Sequence, residues 1–118
     1  MLDAVGVLDA IAGRVAAGAT VEFRPSGTSM VPLINSRQLV TVAPVDPAKV
    51  EVGDIVLAKV AGAVYLHLVS ALDNRGRIQI SNNRGHVNGW TTQARVYGIC
   101  TAVDGTQRPR ADSKIRQG

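Results

Sequence analysis

The sequence predicts a mainly β domain with one N-terminal α-helix. Apolar residues recur at helical spacing only near the N-terminus, and from Thr20 onward they alternate or cluster in short runs. Turn residues separate those runs at short intervals, the pattern of a sheet built from hairpins. The 118 residues suit one domain. With 46% hydrophobic and 19% charged residues, the chain can bury a core and is not of the disordered class. Its aromatic side chains are Phe23, Tyr65, Trp90 and Tyr97, so the core must be aliphatic. So few aromatics also leave little to stack single-stranded nucleic acid upon.

Residues 3–17 read as the helix, with Val5, Leu8, Ile11, Ala12 and Val15 on one stripe. Asp3 can cap its start, Arg14 suits its C-terminal dipole and Gly18 is a stop. Strands follow at 20–24, 39–45 and 55–60, then at 64–72, 77–81 and 95–103. Pro25–Thr28, Asp46-Pro47, Gly53-Asp54, Ala61-Gly62 and Asp73–Gly76 are the turns between them. Residues 82–89 read as a polar loop. This gives a helix at 1–18, a β domain at 19–104 and a basic, flexible tail at 105–118.

The net charge of +4 is concentrated at the end of the chain. Arg108, Arg110, Lys114 and Arg116 stand there against Asp112, which leaves the body near neutral and gives no strong nucleic-acid signal. Asp3, Asp9 and Arg14 interrupt the N-terminal apolar segment, unlike a secretory signal, and no stretch is long enough for a membrane span. Cys100 is the single cysteine, in an apolar run. The expectation is a cytoplasmic protein. No metal-ligand spacing, phosphate loop or cofactor motif is present, so the expected cofactor is none.

The chemistry-bearing candidates start at Ser29, in Ser26-Gly27-Thr28-Ser29-Met30-Val31-Pro32. A serine hydroxyl needs a base within hydrogen-bond reach and backbone donors for the oxyanion. Gly27 frees the chain to expose both, Met30 can line a groove and Pro32 stiffens the exit. Taken alone, a serine in such a turn reads as a turn residue. His67, in Val64-Tyr65-Leu66-His67-Leu68-Val69, shares a strand face with Tyr65 and Val69 and titrates where a general base is useful. Lys59 is a second candidate base, with a solvated lysine as the simpler reading. His86 and Trp90 read equally as a recognition surface or as a loop folded over the end of the sheet.

The order of these segments resembles the LexA-like and signal-peptidase-like serine peptidases. Ser26-Gly27-Thr28-Ser29-Met30 is similar to the nucleophile segment of LexA-like repressors, and Met30-Val31-Pro32 to that of signal peptidases. Val52-Gly53-Asp54-Ile55-Val56-Leu57 looks like the Gly-Asp-Ile-Val strand of both groups, and the resemblance covers residues 21–103. It implies a folded β-sheet or barrel-like core. It also implies Ser29 as nucleophile and His67 at the position of the general base, where many members keep lysine. Main-chain groups near Thr28 and Ser29, with the Ser26 hydroxyl, would hold the oxyanion, and Met30 and Pro32 would line the substrate groove. Histidine-type members orient the base with an aspartate in a Gly-Asp-Asn-like segment. The matching stretch here is Ile80-Ser81-Asn82-Asn83, so Ser81 or Asn82 becomes the orienting residue.

Two functions follow. One is a serine endopeptidase-like domain with a Ser–His dyad, cutting itself or a protein partner. The other is a weak or inactive relative acting as a protein-binding regulatory module, of the kind a phage or mobile element encodes. The family's pairing habits imply a homodimer through 96–103. The family also cuts itself at Ala-Gly bonds. Ala12-Gly13 and Ala17-Gly18 are present here but read as coincidence in an Ala/Gly-rich chain.

Overall fold

A computed structural model describes residues 2–109, with side chains described from Gly6 onward. One helix, α1 (Leu2–Ala16), precedes eight strands. These are β1 (Val21–Phe23), β2 (Val40–Pro44), β3 (Ile55–Val60), β4 (Ala63–Leu72), β5 (Ile78–Ser81), β6 (Val87–Thr91), β7 (Val96–Val103) and β8 (Thr106–Gln107). They form one antiparallel sheet in the order β1-β2-β7-β3-β4-β5-β6, with β8 added to the end of β7. The path is open at β1 and β6, so the sheet does not close into a barrel.

Helix α1 ends as its sequence directs. Gly18 takes φ +106°, and the N–H groups of Gly18 and Ala19 bond the carbonyls of Val15 and Arg14 at 2.9 and 3.0 Å. This Schellman cap needs a residue free to enter the left-handed region, which glycine provides. It also locks the Ala17-Gly18 peptide into hydrogen-bonded structure. Ile11, Ala12 and Val15 are buried against β1, β2, β4 and β7, each large side chain contributing roughly 1.5–3 kcal/mol. The helix can sit this close because β7 carries Gly98 beneath it. A Cβ there would lie 2.6 Å from Val15 Cγ1 and 2.7 Å from the Ala43 carbonyl oxygen.

Strand alternation divides the apolar residues into two clusters. Ile55, Leu57, Val64 and Leu66 join α1 in the first; Val56, Ala58, Val60, Val69, Ile78, Ile80 and Val96 form the second. The β5–β6 hairpin folds over the second cluster far enough for the Thr91 hydroxyl to donate to the Lys59 carbonyl at 2.6 Å.

Four expectations need correction. The polar loop read at 82–89 contains the start of β6, whose alternation is masked by Asn88, Gly89 and an exposed Val87 and Trp90. The tail does not begin at 105. Thr106 and Gln107 pair with β7, and Arg108 donates from its backbone to Thr101 O at 2.8 Å and from its guanidinium to Gly53 O at 3.1 Å; residues 110–118 lie outside the described set. Pairing of two copies along 96–103 has no open edge, because β7 lies between β2 and β3 and its far end carries β8. The barrel form is replaced by the open, folded sheet. No described helix is long and apolar enough to cross a membrane.

Candidate active site

His67 lies on β4, opposite Val56 of β3 in the ladder. Apolar register fixes it: Leu66 must enter the first cluster and Val69 the second, so His67 cannot slip by one residue. The Gly53-Asp54 turn adds a second restraint. Gly53, at φ +99°, and Asp54 exchange backbone hydrogen bonds with Val69 at 2.9 and 2.8 Å, and the buried Asp54 carboxylate accepts from the Glu51 N–H at 2.8 Å. The motif that resembles the peptidase strand therefore pins β4 two residues from the histidine. Tyr65 stacks on the imidazole with ring centroids 5.0 Å apart.

Ser29 reaches the same place from residues 24–39, a loop joining β1 to β2. Met30 and Ile34, 5% and 4% exposed, are pegs of this loop in the first cluster. Gly27, at φ +115°, turns the chain and its N–H bonds Ser36 Oγ at 3.1 Å. The tip of the β5–β6 hairpin then grips the turn. Asn83 donates from its backbone to Ser29 O at 2.8 Å and from its amide to Val31 O at 3.0 Å, and Arg84 Nη1 donates to Thr28 Oγ1 at 3.3 Å.

These placements bring Ser29 Oγ to 3.2 Å from His67 Nε2. On the other side of the ring, His67 Nδ1 lies 2.7 Å from Asn88 Oδ1. An amide oxygen only accepts, so this contact puts the proton on Nδ1 and leaves the Nε2 lone pair facing the serine hydroxyl. The ring is 8% exposed. Burial lowers its pKa below the ordinary 6.5, the Asn88 hydrogen bond raises it, and electrostatic repulsion from His86 lowers it further. At neutral pH the imidazole is therefore free to accept a proton. A cleft of about 90 Å³ opens beside the pair, bounded by Ser26, Ser29 and Met30 of the loop, Tyr65 of β4 and Leu8 of α1.

Ser29, His67, Ser26 and Met30 thus meet at one cleft, with Thr28 at its rim under Arg84. Pro32 does not line the cleft; its ring is exposed after a cis Val31–Pro32 bond. Neither expected orienting residue touches His67. Ser81 is buried with its hydroxyl 2.6 Å from Ser70 Oγ. Asn82 spends its side-chain oxygen on the N–H groups of Arg84 and His86, at 2.8 and 2.9 Å, shaping the hairpin tip. The side chain that contacts His67 Nδ1 is Asn88, one strand further on. Sequence reasoning missed it because residues 82–89 read as loop, while a bulge between Ile80 and Ser81 sets the β6 register that brings Asn88 to the ring. Asn88-Gly89 within a β-prone run was the available signal. Lys59, the second candidate base, lies on β3 by a separate cavity with Asp9 and Tyr97 and takes no part. No protein-family model matches the chain, and neither does any curated protein or solved structure.

Proposed function

We propose that this domain is a serine endopeptidase-like hydrolase of the LexA and signal-peptidase type, in which Ser29, His67 and Asn88 act together. The observation that carries the reading is one buried imidazole, fixed at Nδ1 by Asn88 and aimed through Nε2 at a serine hydroxyl 3.2 Å away. Such a chain of contacts is the working geometry of a nucleophile, a base and an orienting group. Ser29 Oγ attacks the peptide carbonyl carbon while His67 Nε2 takes its proton. The C–N bond breaks, the imidazolium returns the proton to the leaving amine, and water then hydrolyses the acyl-serine by the same base. The N–H groups of Thr28 and Ser29 and the Ser26 hydroxyl would hold the oxyanion; among the described residues none of these three donors has a hydrogen-bond partner, which supports that role.

A second reading, a regulatory protein-binding module on the same fold, is favoured by one observation. The residue behind His67 is a neutral amide and does not balance an imidazolium charge. A fluorophosphonate probe with intact-mass detection separates the two. The peptidase reading expects a single adduct, absent in Ser29→Ala and strongly slowed in His67→Ala. No adduct, or one that persists in Ser29→Ala, overturns it and leaves the binding module.

A further inference from the structure

Among the described residues, no carboxylate contacts the imidazolium that forms during such a reaction. His67 contacts the neutral Asn88 and the Tyr65 ring, and the electrostatic effect of His86, from the hairpin tip, disfavours the charged imidazole. The same hairpin sets Arg84 against Thr28, one residue from the nucleophile, with the guanidinium held by only one hydrogen bond at 3.3 Å. Neither Arg84 nor His86 has an ion-pair partner among the described residues. Across the loop, Arg24 donates to Arg37 O at 2.9 Å. Asp104, whose carboxyl Arg24 influences electrostatically, is already engaged by Gln38 and the Leu39 N–H at 3.0 and 2.9 Å. Arg84 thus stands one residue from Ser29 and Arg24 is bonded to another part of the same loop, while no described carboxylate contacts His67.

We infer that the site takes peptides bearing a carboxylate beside the scissile bond, seated on Arg84. That carboxylate supplies the negative charge which Asn88 does not. The inference rests on the peptidase reading of Ser29 and His67 and names its substrate class. Arginine is suited to the task, because its planar fork matches the two oxygens of a carboxylate and keeps its charge at every working pH. An anion held there also attracts the imidazolium, so the gain appears in the reaction step as well as in binding.

The source of the carboxylate is either an Asp or Glu side chain or a free peptide C-terminus, and matched peptidyl fluorophosphonates distinguish them. One probe carries an aspartyl side chain with an amidated end. A second carries a neutral side chain with a free terminal carboxylate, a third is neutral throughout, and a fourth carries lysine. The full chain should label at Ser29 about fivefold faster with at least one anionic probe than with the neutral one, and slowest with lysine. The advantage should shrink as salt is raised. The faster anionic probe identifies the source. In Arg84→Gln the anionic-to-neutral ratio should fall towards one, and in Arg84→Glu the preference should turn to lysine. Charge-indifferent labelling, or an anionic preference that survives both Arg84 substitutions, overturns this inference and leaves the peptidase reading intact. Absence of Ser29-dependent labelling by all four probes overturns both.

Discussion

The strand that carries His67 and the loop that carries Ser29 are held by different forces. β4 is paired with β3 along six residues and with β5 near its end, and its register is set by apolar side chains entering two clusters. The loop at 24–39 belongs to no ladder. Met30 and Ile34 peg it to the core, and contacts from Asn83 and Arg84, more than fifty residues away in sequence, set its final position. His67 is therefore fixed by packing, while Ser29 is aimed by a few polar contacts from the hairpin that also supplies Asn88. One small hairpin thus adjusts both ends of the Ser–His contact.

Substitutions on the two sides should separate these roles. The largest effect is expected for His67→Ala, which should slow acylation of Ser29 by a fluorophosphonate about a thousandfold or more while near-native circular dichroism is kept. A fall of tenfold or less would mean that Ser29 reacts without its base. Met30→Ala tests the loop's peg. It should cost about 2–5 kcal/mol in urea unfolding, with cavity formation as the cause; a loss below about 1 kcal/mol would show that the loop is held by its polar contacts alone. Asn88→Ala should slow acylation roughly a hundredfold at unchanged stability, since the ring loses the partner that selects its tautomer. Equal rates in the wild type and in Asn88→Ala would remove Asn88 from the site. Asn83→Ala, which keeps the backbone bond to Ser29 and loses only the amide contact to Val31, should slow acylation about fivefold. The smallest change is expected for His86→Gln. Removing its electrostatic effect on His67 should move the acid limb of the acylation profile slightly up towards 6.5.

The same contrast explains what was legible in the sequence. Alternation over Val64–Val69 placed His67 on a face with Tyr65, and the structure stacks those two rings. The helix, its Gly18 stop and the strands at 55–60 and 95–103 follow from apolar periodicity and turn residues, which are local signals. Ser29 could be paired with His67 only through the order of motifs, because the loop's position comes from distant hydrogen bonds. Asn88 was hidden more deeply. β6 opens with exposed Val87 and contains Gly89, so its period is weak, and a bulge shifts its register against β5. Ser81 and Asn82 occupied the expected place in the chain but spend their polar atoms on Ser70 and on the hairpin tip. Local pattern reports packing well; it does not report which polar side chain a bulged hairpin will present to a histidine.

The most direct test is the pH dependence of Ser29 acylation in the wild-type chain and in Asn88→Asp. Acylation requires neutral His67, so the rate should fall as pH drops through that residue's pKa. In the wild type the midpoint should lie below 6.5, because burial lowers it. The carboxylate introduced by Asn88→Asp would favour the imidazolium, so the midpoint should rise and the plateau rate should increase. A Ser29 adduct whose rate is flat from about pH 5 to 8, with no response to Asn88→Asp, would contradict the account, because His67 would then not be the group that governs Ser29.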